Sequence, residues 1–475
     1  MWRNSKEGSK RCDRESKMKA VRYVGNATSL PKAYLGSLAA GSGYTVINSL
    51  PGAANVTLRL TIDGQPLEVS HDPLTRDFLD LATLVYIVDE IERRGDDWTR
   101  EFEVLFPVTN PGLWAANEVG LSQMLTTLTG DKYRFSWCAT PALSGFGAHR
   151  QRLPVGYDGV CLFSGGMDSF LGAHRLLSQG KKLLLCGHQA DGTAASAQTE
   201  LAEMLRAMFP KQLKLIQCRA ARAFTTDHRY DLPEKCEETH RPRSLLFLAL
   251  ATALANAAKI KTVYIPENGL IALNPPLGKN RLGTLSTRTA HPKYLTELAD
   301  FLKAMGVFTG NIKNPFLFQS KTDMLRGLDP KLARAMLRSV SCARPSRFKN
   351  LGVRHCGYCV PCIYRRIAMN EAGLDDPKDY GFKLFERLIS VDAAKQMDFK
   401  ALVSFARRVT TVSPFNRELI VLSHGFFPVA AAERFGDTKI TSHSPWGDMF
   451  LRWADDFLKK LGTMGSAETR RLLGV

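Results

Sequence analysis

The chain has 475 residues, 44% hydrophobic and 23% charged, with 64 Lys and Arg against 46 Asp and Glu for a net charge of +18. Such a composition is that of a soluble globular protein, long enough for about two or three domains, and excludes a disordered or membrane-embedded one. The positive excess favours anionic partners, but it is scattered along the chain, so nucleic acid is possible without being favoured.

Residues Met1 to Lys17 carry six basic and three acidic side chains and no apolar run, so a disordered leader is expected and a secretory signal is not. Met18 opens a strand-like run, Met18 to Tyr23, and is an alternative start to Met1. From Asn55 to Ile62 apolar and polar residues alternate, Asp63-Gly64 reads as a hairpin turn, and Pro66 to Val69 as the return strand. Apolar residues from Asp77 to Arg94 recur at helical spacing, ending before Gly95. A strand over Phe102–Val108 and a helix over Trp114–Leu128 follow, with Trp98, Trp114 and Trp137 as core or interface residues.

Past Val155 strands and helices alternate. Strands are predicted at Gly159–Phe163, Lys182–Cys186, Leu213–Cys218 and Thr262–Ile265. Helices are predicted at Phe170–Gln179, Ala194–Met208 and Arg243–Ala258. This alternation predicts an α/β fold with a doubly wound parallel sheet, whose ligands bind at the carboxyl ends of the strands. The run Ser244 to Ala258 is too short to span a bilayer. The final hundred or so residues carry helical patterns at Leu384–Ala394, Phe399–Ala406, Pro414–Leu422 and Trp446–Leu461. The expected division is a leader (1–19), an α+β domain (20–153), the α/β domain (154–375) and a helical region (376–475) in a cytoplasmic protein.

The loop Ser164-Gly165-Gly166-Met167-Asp168-Ser169 joins the first of the later strands to its helix. Such a turn is an anion site: free backbone N–H groups and the helix dipole point at the ligand, and glycines let the backbone come close. Ser164 and Ser169 add hydroxyl donors, and Asp168 can hold a cation or water. No G-x-x-x-x-G-K-[ST] motif is present. The loop resembles the pyrophosphate-binding loop (PP-loop) of N-type ATP pyrophosphatases, which grips the β- and γ-phosphates of ATP.

Ten cysteines in a chain without a signal argue for reduced thiols and metal ligands. Cys12, Cys138, Cys161, Cys186, Cys218 and Cys236 are isolated and read as small hydrophobes. Cys342 precedes Cys356-Gly-Tyr-Cys359-Val-Pro-Cys362, a spacing that closes a tetrahedron around structural Zn²⁺. The same spacing also serves iron–sulfur clusters, which stand as the alternative.

A PP-loop followed by four cysteines ending in C-x-x-C-x-x-C resembles the 7-cyano-7-deazaguanine synthase (QueC) family across about Val155 to Ala372. Arg243 at a helix start and Lys321-Thr322-Asp323-Met324 agree with that pattern, although Ser244 stands where the family commonly has Asn. The flanking regions and the runs Glu267–Pro276 and Ser286–Pro292 depart from it. The long form resembles QueC-like proteins of bacterial anti-phage operons, including the Qat type. The resemblance implies a PP-loop (HUP-like) sheet using ATP, Mg²⁺ and Zn²⁺ to activate a 7-deazapurine carboxylate such as 7-carboxy-7-deazaguanine. Ser164, Gly165, Gly166, Met167, Asp168 and Ser169 would bind ATP. Ser164, Asp168, Arg243 and Lys321 would act in catalysis, and Glu267, Asn268, Arg288 and His291 would bind substrate. Cys342, Cys356, Cys359 and Cys362 would hold zinc. Proteins of the same operon are the implied partners. A tRNA-modifying PP-loop enzyme and a non-catalytic scaffold are the competing readings.

Overall fold

The computed structural model describes residues 19–24, 45–48, 54–69, 72–94, 99–140, 153–223, 232, 237, 241–275, 289–343, 345–423 and 426–474. The expected leader as far as Met18, with Cys12, and Gly95, Trp98, Cys236 and the run from Ser286 to Arg288 lie outside the described residues, whereas Lys19, the last residue of that leader, already belongs to the first strand.

Two sheets form. The first runs β2-β1-β5-β6, from β1 (Lys19–Val24), β2 (Thr45–Asn48), β5 (Glu101–Val108) and β6 (Lys132–Ala139), with every pairing parallel. Its core is aromatic: Tyr23 stacks on Phe106 at 4.8 Å, and Trp137 packs against Phe135 at 4.8 Å and Trp114 at 5.1 Å. At its amino edge a buried ionic network joins Arg94 and Arg100 to Asp89 and Asp131, with an Arg94 Nη1–Asp131 Oδ1 distance of 2.5 Å. Arg100 also donates to Asp131 across 2.7 Å. Buried charges persist only when paired in this way.

The second sheet has seven strands in the order β11-β10-β7-β8-β9-β3-β4. Five are parallel: β7 (Gly159–Leu162), β8 (Leu183–His188), β9 (Leu213–Arg222), β10 (Thr262–Tyr264) and β11 (Asn311–Lys313). The hairpin expected around Asp63-Gly64 forms as β3 (Val56–Ile62) and β4 (Gln65–Leu67), and β3 pairs antiparallel with β9. The amino-terminal span therefore contributes to both sheets.

Both faces of the parallel strands are buried, and the period of two divides their side chains between two cores. Cys161, Phe163, Leu183, Leu185, Leu213 and Leu215 share one core with the Met167–Ser178 and Gly192–Met208 helices. Val160, Leu162, Leu184, Cys186, Ile216 and Cys218 share the other with the Pro73–Ile91 and Arg243–Ala257 helices. The isolated thiols in these strands are inert, burial pushing Cys186 up to about 12. A mixed α/β fold with parallel sheets and a cysteine cluster is thus observed. The strand order steps from β7 to β8 in one direction and from β7 to β10 in the other, and ligands of open α/β sheets bind in the crevice outside the carboxyl ends of the strands at such a reversal.

Several boundaries differ from the sequence reading. The Asp77–Arg94 helix spans Pro73–Ile91 because Asp72 caps it, accepting from Thr75 N at 3.0 Å, with proline in the first turn. The Trp114–Leu128 helix divides at Asn117 into Pro111–Ala116 and Glu118–Thr129. No continuous helix covers Leu384–Ala394. Glu386 is drawn to the buried Arg366 at 2.6 Å, and the next helix starts at Ala393, after Asp392. The Phe399–Ala406 pattern is the middle of that Ala393–Thr411 helix. The helix Pro292–Ala304 and strand β11 were not anticipated. Among the described residues, no helix is long and apolar enough to cross a membrane.

Gly172 sets how closely the Met167–Ser178 helix approaches the exit of β10. An added Cβ would lie 2.2 Å from Pro266 Cβ. Gly172→Ala should therefore destabilise the protein by about 1–3 kcal/mol, read as a lower urea midpoint at unchanged slope. An unchanged midpoint would show that the helix can shift freely.

Candidate active site

The Ser164–Ser169 segment leads from β7 into the Met167–Ser178 helix and includes that helix's first residues. Phe163 N still bonds Cys186 O at 2.7 Å, and the chain then turns. Gly165 has φ +80°, and a Cβ there would lie 3.0 Å from Gln198 N. Both conformation and space demand glycine. Gly166 is the N-cap of the Met167–Ser178 helix and receives no side-chain cap. The amides of this first turn are the usual anion donors of a helix start. The serine hydroxyls converge: Ser164 Oγ and Ser169 Oγ are 3.3 Å apart, and Gly166 N donates to Ser164 Oγ at 3.3 Å.

Beneath the loop, Gln198 donates to His188 O at 3.0 Å and accepts from Gln217 Nε2 at 3.0 Å. This buried amide relay ties the end of β8 and the middle of β9 to the helix beside Gly165.

Asp168 joins two other sequence-predicted residues, Lys321 and Asn268. Its Oδ1 accepts from Lys321 Nζ, and its Oδ2 accepts from Asn268 Nδ2 at 2.6 Å and Asn268 N at 3.2 Å. Asp168 is 8% exposed and Lys321 6%. Lys321 is placed by a capping box, Ser320 with Asp323, at the start of a short helix. Asn268 uses the other end of its amide to cap the Gly269–Leu273 helix, its Oδ1 accepting from Ile271 N at 3.2 Å. Both ends of that side chain are engaged within the protein.

Glu267 adjoins this pair, its backbone held by Asn314, which accepts from Glu267 N at 3.3 Å and donates to Glu267 O at 2.8 Å. Burial of its carboxyl and then the Asp168 charge push Glu267 up to about 8, against the pull of Lys321 and Arg243. Arg243 opens the Arg243–Ala257 helix, 5.8 Å from the Phe247 ring centre. It acts electrostatically on both Glu267 and His188.

His291 is placed differently. It is fully buried, caps the Pro292–Ala304 helix through Nδ1, which accepts from Lys293 N at 3.2 Å, and packs edge-on against Phe427. Both of these contacts fall within the described residues. Arg288 lies outside them.

His188 also follows a predicted strand and so is expected at the carboxyl edge of the sheet. It ends β8, is 5% exposed, and lies between the rings of Tyr86 at 5.6 Å and Phe247 at 5.3 Å. Burial, and then Arg243, lower it to about 4, so the imidazole is neutral at pH 7. Its position after a strand was the available signal, but nothing in the sequence places Tyr86 against it.

The flanking regions support the crevice. Tyr86 comes from the amino-terminal span. From the carboxyl-terminal region, Met449 packs where a Cβ on Gly269 would come within 2.4 Å of its sulfur, Trp446 meets Phe318 at 4.7 Å, and Arg452 donates to Phe318 O at 3.0 Å. These contacts steady the segment that carries Lys321.

The four cysteines Cys342, Cys356, Cys359 and Cys362 gather with all sulfurs within 4.8 Å of one another. Cys356 Sγ and Cys362 Sγ are 3.7 Å apart. A tetrahedron of about 2.3 Å Zn–S bonds has edges of about 3.8 Å. Gly357 makes the knuckle possible: its φ is +85°, and a Cβ would lie 2.1 Å from Phe382 O. Cys356 N donates to Cys342 Sγ at 3.4 Å, and Cys359 N donates to Cys356 Sγ at 3.3 Å, as in a thiolate knuckle. The donor set fits zinc and leaves no position open for catalysis.

No family model matches the chain. Curated proteins do. A 7-cyano-7-deazaguanine synthase of Porphyromonas gingivalis is 29% identical over 154 residues, 32% of this chain and 60% of that enzyme. The enzyme of the same name from Methanosphaerula palustris is 27% identical over 238 residues, 46% of this chain and 98% of that enzyme. That of Methanococcus aeolicus is 23% identical over 244 residues, with the same shares covered. The chain thus spans 60% of the Porphyromonas enzyme it matches and nearly all of the two archaeal ones. Its loop, its lysine–aspartate pair and its four-cysteine cluster occur in a protein distantly similar to the 7-cyano-7-deazaguanine synthases.

Proposed function

We propose that the protein activates a carboxylate, that of 7-carboxy-7-deazaguanine or a similar 7-deazapurine, with Mg-ATP. The observation that carries this reading is the uncapped Gly165–Gly166 helix start beside the buried Asp168–Lys321 pair. In the reaction, a carboxylate oxygen attacks the α-phosphorus of ATP and pyrophosphate leaves. An amine nitrogen then attacks the acyl carbon of the adenylate, AMP leaves, and an amide remains. With ammonia as the amine, the amide oxygen can attack the α-phosphorus of a second ATP, pyrophosphate leaves, and loss of AMP with the two nitrogen protons yields a nitrile. Alternatively, an amine on a partner protein encoded nearby, in anti-phage defence, takes the acyl group.

The loop amides and the hydroxyls of Ser164 and Ser169 hold the departing pyrophosphate. Lys321 and Arg243 neutralise charge on the phosphates and the adenylate. Magnesium arrives with ATP, because both Asp168 oxygens already have protein partners. Glu267, protonated below about pH 8, can donate a hydrogen bond to the substrate. Zinc would be held by the four cysteines and would supply cross-linking of the chain.

The test is mass spectrometry of protein incubated with Mg-ATP and 7-carboxy-7-deazaguanine, with and without ammonia. AMP, pyrophosphate and an amide or nitrile product are expected. Pyrophosphate formation independent of the deazapurine would overturn the substrate, and formation only with added tRNA would favour a tRNA-modifying enzyme.

A pH signature accompanies Glu267. The raised carboxyl keeps its proton in the folded chain between about pH 4.5 and 8, whereas the unfolded chain releases it. Its contribution to stability is full below that window and falls as pH rises through it. Glu267→Gln should flatten this part of the curve of melting temperature against pH. Parallel curves for both proteins would show that Glu267 ionises normally.

A further inference from the structure

Between the sulfur cluster and the phosphate loop runs a short strap, Ser339-Val340-Ser341-Cys342. At one end Val340 N donates to Gly165 O at 2.9 Å, and a Cβ on Gly166 would lie 3.4 Å from Val340 O. The strap therefore lies directly against both loop glycines. At the other end, Cys342 is itself one of the four sulfur donors. Between them, Ser341 N donates to His355 Nε2 at 3.4 Å, and His355 directly precedes Cys356.

Arg365 clamps the strap from the side. It lies on the Val360–Glu371 helix, one turn beyond Cys362, and is 2% exposed. Its Nη1 donates to Ser339 Oγ and its Nη2 to Met336 O, each at 2.7 Å. One donor thus holds a side-chain hydroxyl and the other a backbone carbonyl of the same short segment. Arg354 adds a peripheral tie, donating to Arg338 O at 3.3 Å and approaching Glu200 at 3.4 Å. Glu200 belongs to the Gly192–Met208 helix, whose Ala194, Ala197 and Gln198 wall in Gly165.

We propose that Arg365 and this strap are positioning elements that transmit occupancy of the four-cysteine centre to the phosphate loop, so that a bound metal sets the loop for nucleotide. The inference rests on the loop's being the phosphate site. Metal ligation fixes Cys342 and the start of the Arg365 helix at once, and the strap between them can then hold Gly165 O in only one place. Without the metal both anchors loosen, and the Gly165 carbonyl loses its restraint.

The full chain is used for the test. Deuterium uptake is followed in peptides covering 163–171, with 101–108 in the other sheet as control. The samples are zinc-loaded protein, the same protein after chelation, Ser339→Ala, and Arg365→Met, with zinc content measured in each. Mg-ATP affinity is measured by calorimetry. Faster uptake at 163–171 is expected in the chelated protein and in both variants, with zinc retained in the variants and 101–108 unaltered. Mg-ATP binding should weaken about tenfold in each. Chelation after Arg365→Met should add little, because both act through one strap.

Unaltered uptake at 163–171 after chelation would overturn the proposal, as would an equal rise at 101–108, which would mean general loosening. Zinc loss in Ser339→Ala would also overturn it, since the serine would then serve the metal site itself. Should uptake respond as expected while Mg-ATP fails to bind even the zinc-loaded protein, the strap stands and the nucleotide reading falls.

Discussion

Asp168→Asn should lower pyrophosphate release by about 10²- to 10³-fold while leaving the fold intact. The substitution preserves size and the ability to accept from Asn268, but it removes the charge that faces Lys321. Two effects then compete. Loss of the counter-charge leaves the Lys321 ammonium buried without its partner, and breaking a buried pair from one side costs about 3–5 kcal/mol. A less stable protein can mimic a catalytic defect, so the variant needs a companion. Lys321→Met added to Asp168→Asn removes the orphaned charge and should recover much of the lost urea midpoint. Activity should not return, because a positive group beside the phosphates is then also missing. Recovery of both stability and pyrophosphate release in the double variant would show that the pair is only a structural bridge. Release within about threefold of the parent in Asp168→Asn alone would remove Asp168 from the chemistry.

Cys359→Ser should lose stoichiometric zinc and melt well below the parent. Four thiolates around one ion contribute folding free energy outright, and structural zinc in small domains is worth about 10–16 kcal/mol. Here much of that is offset, since Cys356 and Cys362 are buried against a core that includes Ile363, Ile367 and Leu384. A net loss near 5 kcal/mol, at roughly 2 °C for each kcal/mol in a chain of this size, corresponds to about 10 °C. Elemental analysis and scanning calorimetry check both halves. A single variant that keeps full zinc would mean that Cys359 is dispensable. Visible absorption of an iron–sulfur chromophore in the anaerobically purified parent would replace zinc by the cluster alternative.

The crevice and the metal cluster were legible from short-range pattern because both depend on neighbouring residues. A strand, a glycine pair and a helix start make the anion loop wherever they occur together. Cysteines two residues apart make half a metal site before any tertiary contact forms. The capping box at Ser320 and Asp323 is local too, and it delivers Lys321 to a helix start. Chemical type could likewise be assigned to Glu267 and Asn268 from their place after a strand. Their use could not: Asn268 spends its amide on Asp168 and a helix cap, and His291 closes a helix beneath Phe427. Hydrogen-bond donors look alike in a sequence whether they point at ligand or at protein.

Long-range pairing was the part hidden from sequence. The Val56–Leu67 hairpin was recognisable from its alternation and its Asp-Gly turn, but a hairpin carries no mark of the strand it will join. Its pairing with β9 across 150-odd residues is decided by which edge remains open once the parallel strands have assembled. The failed Leu384–Ala394 helix has a similar cause. Its local apolar spacing is outweighed by the ion pair between Glu386 and the buried Arg366. The chain's local order thus specifies the loop, the capped helices and the sulfur ligands, since each rests on backbone geometry within a few residues. Which side chains face the crevice, and the strap that joins the cysteines to Gly165, follow from burial and charge pairing between segments far apart in the chain.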